Sequence, residues 1–193
     1  MLRLRLFRSF GSLVGALLIA SCADPSLQGI TSPATAAADH GGGSDLGLHA
    51  LWWSIEVGSQ VKVSQRIDAS GGRISIPETG FTMDIPAGAL PGPLTITVTA
   101  DDRYVAYKME PTGTQFRKDV TITQSLRVTT ISGQPLRSQL YAAFIPDDST
   151  QLSGKIPVLE IEPSTTIFSP LNGLPDAQVW IIRHFSRYML ASG

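Results

Sequence analysis

The feature that most constrains this chain is a period of two. Phe81, Met83 and Ile85 alternate with Thr82 and Asp84, and Leu94, Ile96 and Val98 alternate with Thr95, Thr97 and Thr99. In an extended chain successive side chains point to opposite faces, so this spacing gathers the apolar residues on one side of a sheet. Val61, Val63 and Ile67 open the pattern, and Ile74 and Ile76 continue it with Arg73 and Ser75 on the other face. Turn sequences punctuate the runs: ASGG at 69–72, PETG at 77–80 and PAGALPGP at 86–93. Further strands are expected over 104–110, 119–130, 139–145, 156–162 and 177–191. No stretch beyond residue 21 carries apolar residues at helical spacing over three turns. Many short strands joined by Gly/Pro turns predict an all-β fold, a β-sandwich or barrel. Val179–Ile182 is apolar on both parities, which predicts a strand covered on both faces or central in its sheet.

The N-terminus reads as an address. Arg3, Arg5 and Arg8 precede an apolar run from Phe10 to Ala20, which is short of the roughly 20 residues a membrane-spanning helix needs. The run ends in IASC, Ile19 to Cys22, and resembles a bacterial lipobox. That resemblance implies cleavage between Ser21 and Cys22, diacylglycerol on the Cys22 sulfur and an acylated new N-terminus. Cys22 is the only cysteine, so the monomer has no disulfide and no other thiol for catalysis or metal binding. Two or three acyl chains hold a protein on a membrane where one does so only marginally.

Residues 1–21 are therefore expected to be a lipoprotein signal peptide, 22–50 a flexible tether and 51–193 one sandwich domain. The tether is rich in Ala, Gly, Ser, Thr and Pro, a composition that buries too little surface to offset its ordering entropy. Its reach is roughly 30 Å. Without the three leader arginines, 12 basic residues face 16 acidic ones, a formal charge of −4. No basic stripe with interleaved aromatics is present, so nucleic acid is not an expected partner.

Gly71 to Val98, GGRISIPETGFTMDIPAGALPGPLTITV, resembles the start of a ZU-5 domain. Gly71-Gly72 opens a strand, Ile76–Phe81 links it to the next, and IPAGAL at 85–90 precedes TIT. EPTGTQFRKDVTIT at 110–123 resembles the following part in bacterial relatives, and HFSRYML at 184–190 the last strand. The resemblance spans about 65–193. ZU-5 domains are shared by zonula occludens scaffolds, netrin receptors and ankyrins, and related copies occur in exported bacterial proteins. The resemblance implies an antiparallel sandwich serving as a scaffolding or binding module. In IPAGAL, Pro86 ends strand pairing, Gly88 tolerates a tight bend, Ala87 and Ala89 let the corner tuck in, and Leu90 plugs it.

The same resemblance gives His184-Phe185-Ser186 a second meaning. Some ZU-5-containing death-domain scaffolds, and one class of nucleoporin, cut themselves between Phe and Ser of such a triplet. His184 would act as base, the Ser186 hydroxyl would attack the Phe185 carbonyl, and water would resolve the ester. In one extended strand, residues 184, 186 and 188 share a face, so His184 and Ser186 could be neighbours. Against this, Arg187 stands where a self-cutting relative has tryptophan, and the sequence names no oxyanion donor. The plainer reading is a last strand with Phe185 and Tyr188 packing.

Trp52-Trp53 could offer an aromatic platform to a glycan, although adjacent strand positions face opposite ways and at most one ring can reach solvent. The other expectation is one core anchor and one interfacial ring. Asp101-Asp102 and Asp147-Asp148 read as turn residues in preference to a calcium site, which needs six to eight oxygens. His40, His49 and His184 form no cluster, and His40 before three glycines has no second ligand, so no metal or cofactor is expected. No P-loop, nucleophile elbow or His-Glu-x-x-His occurs, so no enzyme is expected beyond self-cleavage. The leading expectation is a lipid-anchored, non-enzymatic binding or assembly module at the bacterial envelope, exported to the outer membrane, periplasm or cell surface. Its partners would be the membrane, through Cys22, and a protein. Self-processing at Phe185–Ser186 and glycan binding are the alternatives, and the oligomeric state is left open.

Overall fold

The computed structural model describes residues 47–58, 61–146 and 148–193. They form an all-β sandwich of two antiparallel sheets. The strands are β1 (His49–Ala50), β2 (Lys62–Ile67), β3 (Gly72–Ile76), β4 (Phe81–Ile85), β5 (Leu94–Ala100) and β6 (Ala106–Glu110). They continue as β7 (Gln115–Ser125), β8 (Leu140–Ile145), β9 (Glu160–Glu162), β10 (Ser164–Phe168), β11 (Pro175–His184) and β12 (Arg187–Ser192). One sheet runs β2-β5-β6-β12-β8-β9, with β1 beside the end of β12, and the other runs β10-β11-β7-β4-β3. Among the described residues no helix is long and apolar enough to cross a membrane.

The alternating runs place their apolar sets between the sheets. Ile74, Ile76, Phe81, Met83 and Ile85 from one sheet meet Ile96, Val98, Met109, Tyr188 and Leu190 from the other. Tyr107 in β6 donates its hydroxyl to Gln124 Oε1 in β7 at 2.6 Å, and Gln124 Nε2 donates to the Thr79 carbonyl at 2.6 Å. This buried polar link joins the two sheets with its partners matched, which is the condition for tolerating polar groups in a core.

The seven-stranded sheet is apolar on its outer face as well. Met189 and Ala191 point away from the sandwich core into a second cluster with Leu48, Ala106, Ala143 and Ile145. Leu152, Ile156 and Val158, from the segment between β8 and β9, cover it. The strand buried on both faces is thus β12, whereas Val179 and Ile181 of β11 are only half-buried.

Four expectations need correction. The strand expected over 177–191 is two strands in different sheets, because the chain crosses over at Phe185–Ser186. Residues 156–159 form no strand although Ile156 and Val158 keep a period of two: Val158 makes only an isolated bridge, and both side chains cover the outer face. The tether ends earlier than residue 50: Leu48 is buried and His49–Ala50 pair with Ser192 and Ala191. Ala87 is exposed, so only Ala89 and Leu90 tuck beneath the 86–90 corner. Gly71 has φ of +79°, and a Cβ there would lie 2.2 Å from the Ile85 carbonyl oxygen, so Gly71 is a steric requirement of this turn.

Candidate functional site at the seam between the sheets

Two chain crossings meet on one side of the sandwich. β9 ends at Glu162 in the seven-stranded sheet, and past Pro163 the chain enters β10 in the other. β11 ends at His184 in the five-stranded sheet, and past Phe185–Ser186 it enters β12. The Ile181 N–H donates to the Pro163 carbonyl at 3.2 Å and ties one crossing to the strand that leads into the other.

Period two puts Glu160 and Glu162 on the same face of β9. With Asp119, Arg183 and His184 they line a cleft of about 250 Å³. Glu162 is only 7% exposed, and its carboxylate has no hydrogen bond or ion pair among the described residues. Burial pushes its carboxyl up to about 7; the charge of Glu160 adds to this, and Arg183 opposes it. Arg183 itself pairs with Asp119 through Nε and Oδ1 at 2.9 Å. One carboxylate oxygen of each glutamate and one imidazole nitrogen of His184 lie within 4.8 Å of one another.

Tyr188 holds the histidine. Its hydroxyl donates to the His184 carbonyl at 2.9 Å and lies 3.2 Å from Nδ1. Burial, with the charges of Glu162 and Glu160, pushes the phenol above its ordinary range, so it stays protonated. The Phe144 ring packs edge-on against the imidazole at 5.1 Å.

The fold brings His184 and Ser186 close in sequence but not into partnership. The crossing removes the shared strand face on which that expectation rested. The imidazole engages Tyr188, and among the described residues no hydrogen bond joins it to Ser186. Phe185 is buried, and Ser186 is nearly so. The Phe185 N–H donates to the Thr114 carbonyl, and the Gly113 N–H donates to the Phe185 carbonyl, both at 2.9 Å. Gly113 thus supplies a donor on the candidate scissile carbonyl that the sequence could not name.

Elsewhere the expected residues separate. Trp53 is 4% exposed, and its Nε1 donates to the Asp101 carbonyl at 2.9 Å, so it anchors the core and cannot serve as a glycan platform. Trp52 is 47% exposed, packs on Tyr104 with ring centroids 4.8 Å apart, and carries the Arg103 guanidinium over its ring. Asp101 and Asp148 come to the same region, but Asp148 pairs with Lys108, and Asp101 pairs with Arg187 at 3.8 Å and accepts from the Arg103 and Tyr104 amides. Cations and amides hold these carboxylates, which leaves them unsuited to calcium. Ser21, Cys22, His40, Asp147 and most of the expected tether lie outside the described residues.

The glutamate pair was half visible in the sequence, because Glu160 and Glu162 share a parity. The histidine was not, because it arrives from the other sheet. No protein-family profile matches the chain, and no curated protein matches it.

Proposed function

We propose that this chain is a lipid-anchored, non-enzymatic binding module of the bacterial envelope, a ZU-5-like sandwich that captures a protein partner along the edge strand β10. The acyl chains on Cys22 fix it to the membrane, and the residues between Cys22 and the domain set its reach. The observation that carries the reading is the contrast among the sheet edges. β2 carries Lys62 and Arg66, β3 carries Arg73, and β9 carries Glu160 and Glu162, charges of the kind that keep an edge from pairing with another chain. β10, Ser-Thr-Thr-Ile-Phe, has none. Its Ile167 and Phe168 are exposed, and Leu171 beyond it is 95% exposed. An uncharged edge with exposed apolar side chains suits strand addition, in which main-chain hydrogen bonds give affinity and alternate side chains give selectivity.

A photo-crosslinking amino acid at Phe168, introduced into the full chain in cells, is expected to trap one defined protein. The same probe at Lys62 is expected to trap none, and Ile167→Lys is expected to abolish the adduct. Equal adducts at both edges would remove the β10 assignment. Radioactive fatty acid should label the chain and be lost in Cys22→Ser; label that persists contradicts the anchor.

A second reading, self-processing at Phe185–Ser186, draws support from one observation, the Gly113 N–H on the Phe185 carbonyl. Intact mass of the full chain in denaturant tests it. Loss of residues 186–193, absent in Ser186→Ala, would carry this reading, and a single uncut mass removes it.

A further inference from the structure

We propose that Glu160, Glu162 and His184 bind one divalent transition-metal cation of the Zn²⁺ class, which ties the β9 edge of one sheet to the end of β11 in the other. The site is independent of the docking role of β10 and goes beyond it.

Three observations carry it. The first is the ligand set: two carboxylates and an imidazole whose donor atoms already lie within 4.8 Å of one another. Tetrahedral zinc with N and O bonds of 2.0–2.1 Å separates its ligand atoms by about 3.3 Å, so small side-chain rotations close the site. The second is Glu162, a residue only 7% exposed that lines the cleft and whose carboxylate has no hydrogen-bonding or ionic partner among the described residues. A buried carboxylate left in that state is costly, and the cation beside it is already engaged, since Arg183 pairs with Asp119. A divalent ion between the two glutamates would give both carboxylates a partner and bring the local charge to zero.

The third is the tautomer. The Tyr188 hydroxyl has one proton, and its acceptor is the His184 carbonyl at 2.9 Å. With that proton given to the carbonyl, the phenol oxygen accepts in its 3.2 Å contact with Nδ1, an arrangement compatible with a neutral imidazole that carries its proton on Nδ1 and its lone pair on Nε2. A histidine ligand is ordinarily held this way, with one nitrogen donating to a neighbour and the other free for the metal. Nitrogen in the set, and three protein ligands in place of six to eight oxygens, select a transition metal over Ca²⁺ or Mg²⁺.

The test uses the full chain in detergent without a polyhistidine tag, stripped with EDTA and titrated with Zn²⁺ by calorimetry. One Zn²⁺ per chain and a raised melting temperature are expected, with Zn K-edge absorption showing nitrogen and oxygen ligands including one imidazole. His184→Ala, Glu162→Gln and Glu160→Gln should each weaken binding at least about 100-fold, as loss of a direct ligand should cost no less than loss of an outer-shell partner. The double variant His40→Ala/His49→Ala should bind as the native chain does. Absence of zinc binding overturns the proposal, and so does native affinity in His184→Ala or Glu160→Gln with an unchanged circular dichroism spectrum. Glu160 is exposed, so its variant decides the matter even if Glu162→Gln does not fold. Displacement of zinc by tenfold Ca²⁺ would overturn the transition-metal assignment.

Discussion

Trp180 and Trp53 are both buried indoles, but their N–H groups differ. Trp53 Nε1 donates to the Asp101 carbonyl at 2.9 Å, whereas Trp180 Nε1 has no hydrogen-bond partner among the described residues. Replacing either ring with phenylalanine removes similar volume and opens a similar cavity. Trp53→Phe also deprives a carbonyl of its donor, while Trp180→Phe relieves an unmatched buried group, a difference of about 1–3 kcal/mol. Chemical denaturation should therefore find Trp180→Phe the milder variant, and equal losses would refute the reasoning. The two turn glycines at 71 and 88 separate in the same manner. Gly71 and Gly88 both have positive φ, but a Cβ on Gly71 strikes the Ile85 backbone oxygen at 2.2 Å, and one on Gly88 meets only the end of the Lys118 side chain at 3.4 Å. Gly88→Ala should cost the left-handed strain alone, about 1–2 kcal/mol, and Gly71→Ala distinctly more because backbone must move. Comparable unfolding midpoints for the two would show that the 69–72 turn is more pliant than its packing indicates.

At the scale of elements, the edge strand β9 concentrates the chemistry and makes a pH prediction. Glu162 faces Glu160 on its own strand, Arg183 and His184 of β11, Tyr188 of β12 and Asp119 of β7 across the cleft. Its carboxyl is pushed up to about 7, above its unfolded value, so the folded chain binds its proton more tightly than the unfolded chain does. That contribution is full below the ordinary carboxylate range and is lost as pH rises to 7, on the order of 2 kcal/mol. In EDTA the melting temperature should fall over this interval, and Glu162→Gln should flatten the fall; an unchanged slope would mean other groups cause it. How far these elements were legible depends on how many faces each one buries. β4 and β5 each show one apolar face, and their period of two marks them almost to the residue. β10 exposes Ser164, Thr165, Ile167 and Phe168, so no alternation survives to announce it. The division between β11 and β12 is hidden for another reason: Trp180 and Ile182 before the crossing share one parity with Tyr188 and Leu190 after it, and all four enter the same core, so the period of two gives no sign of the break. The glutamate–histidine set needs the sheet order itself, since Glu162 and His184 come from strands in different sheets.

For the whole molecule, the decisive fact is that β12 lies in the middle of the seven-stranded sheet. It pairs with β8 on one side and with β6 and β1 on the other, so without it the sheet falls into two pieces, β2-β5-β6 and β8-β9, and β1 loses its partner strand. Its side chains also serve both hydrophobic clusters, Tyr188 and Leu190 between the sheets and Met189 and Ala191 on the outer face. Burial of Tyr188, Met189 and Leu190 contributes about 1.5–3 kcal/mol each, and the sum is comparable with the 5–15 kcal/mol that holds a typical domain together. A chain ending at Phe185 should therefore fail to fold, with no cooperative melting transition. The synthetic peptide Ser186–Gly193, added in excess, should restore the transition by filling the vacant lane between β6 and β8. The same centrality bears on self-processing: a cut at Phe185–Ser186 would leave the last eight residues of this sequence paired on both sides, so the product would run as one species under native conditions and divide only in denaturant. A truncated chain that melts cooperatively near the native temperature would show that β12 is dispensable, and that a cut there would release the segment.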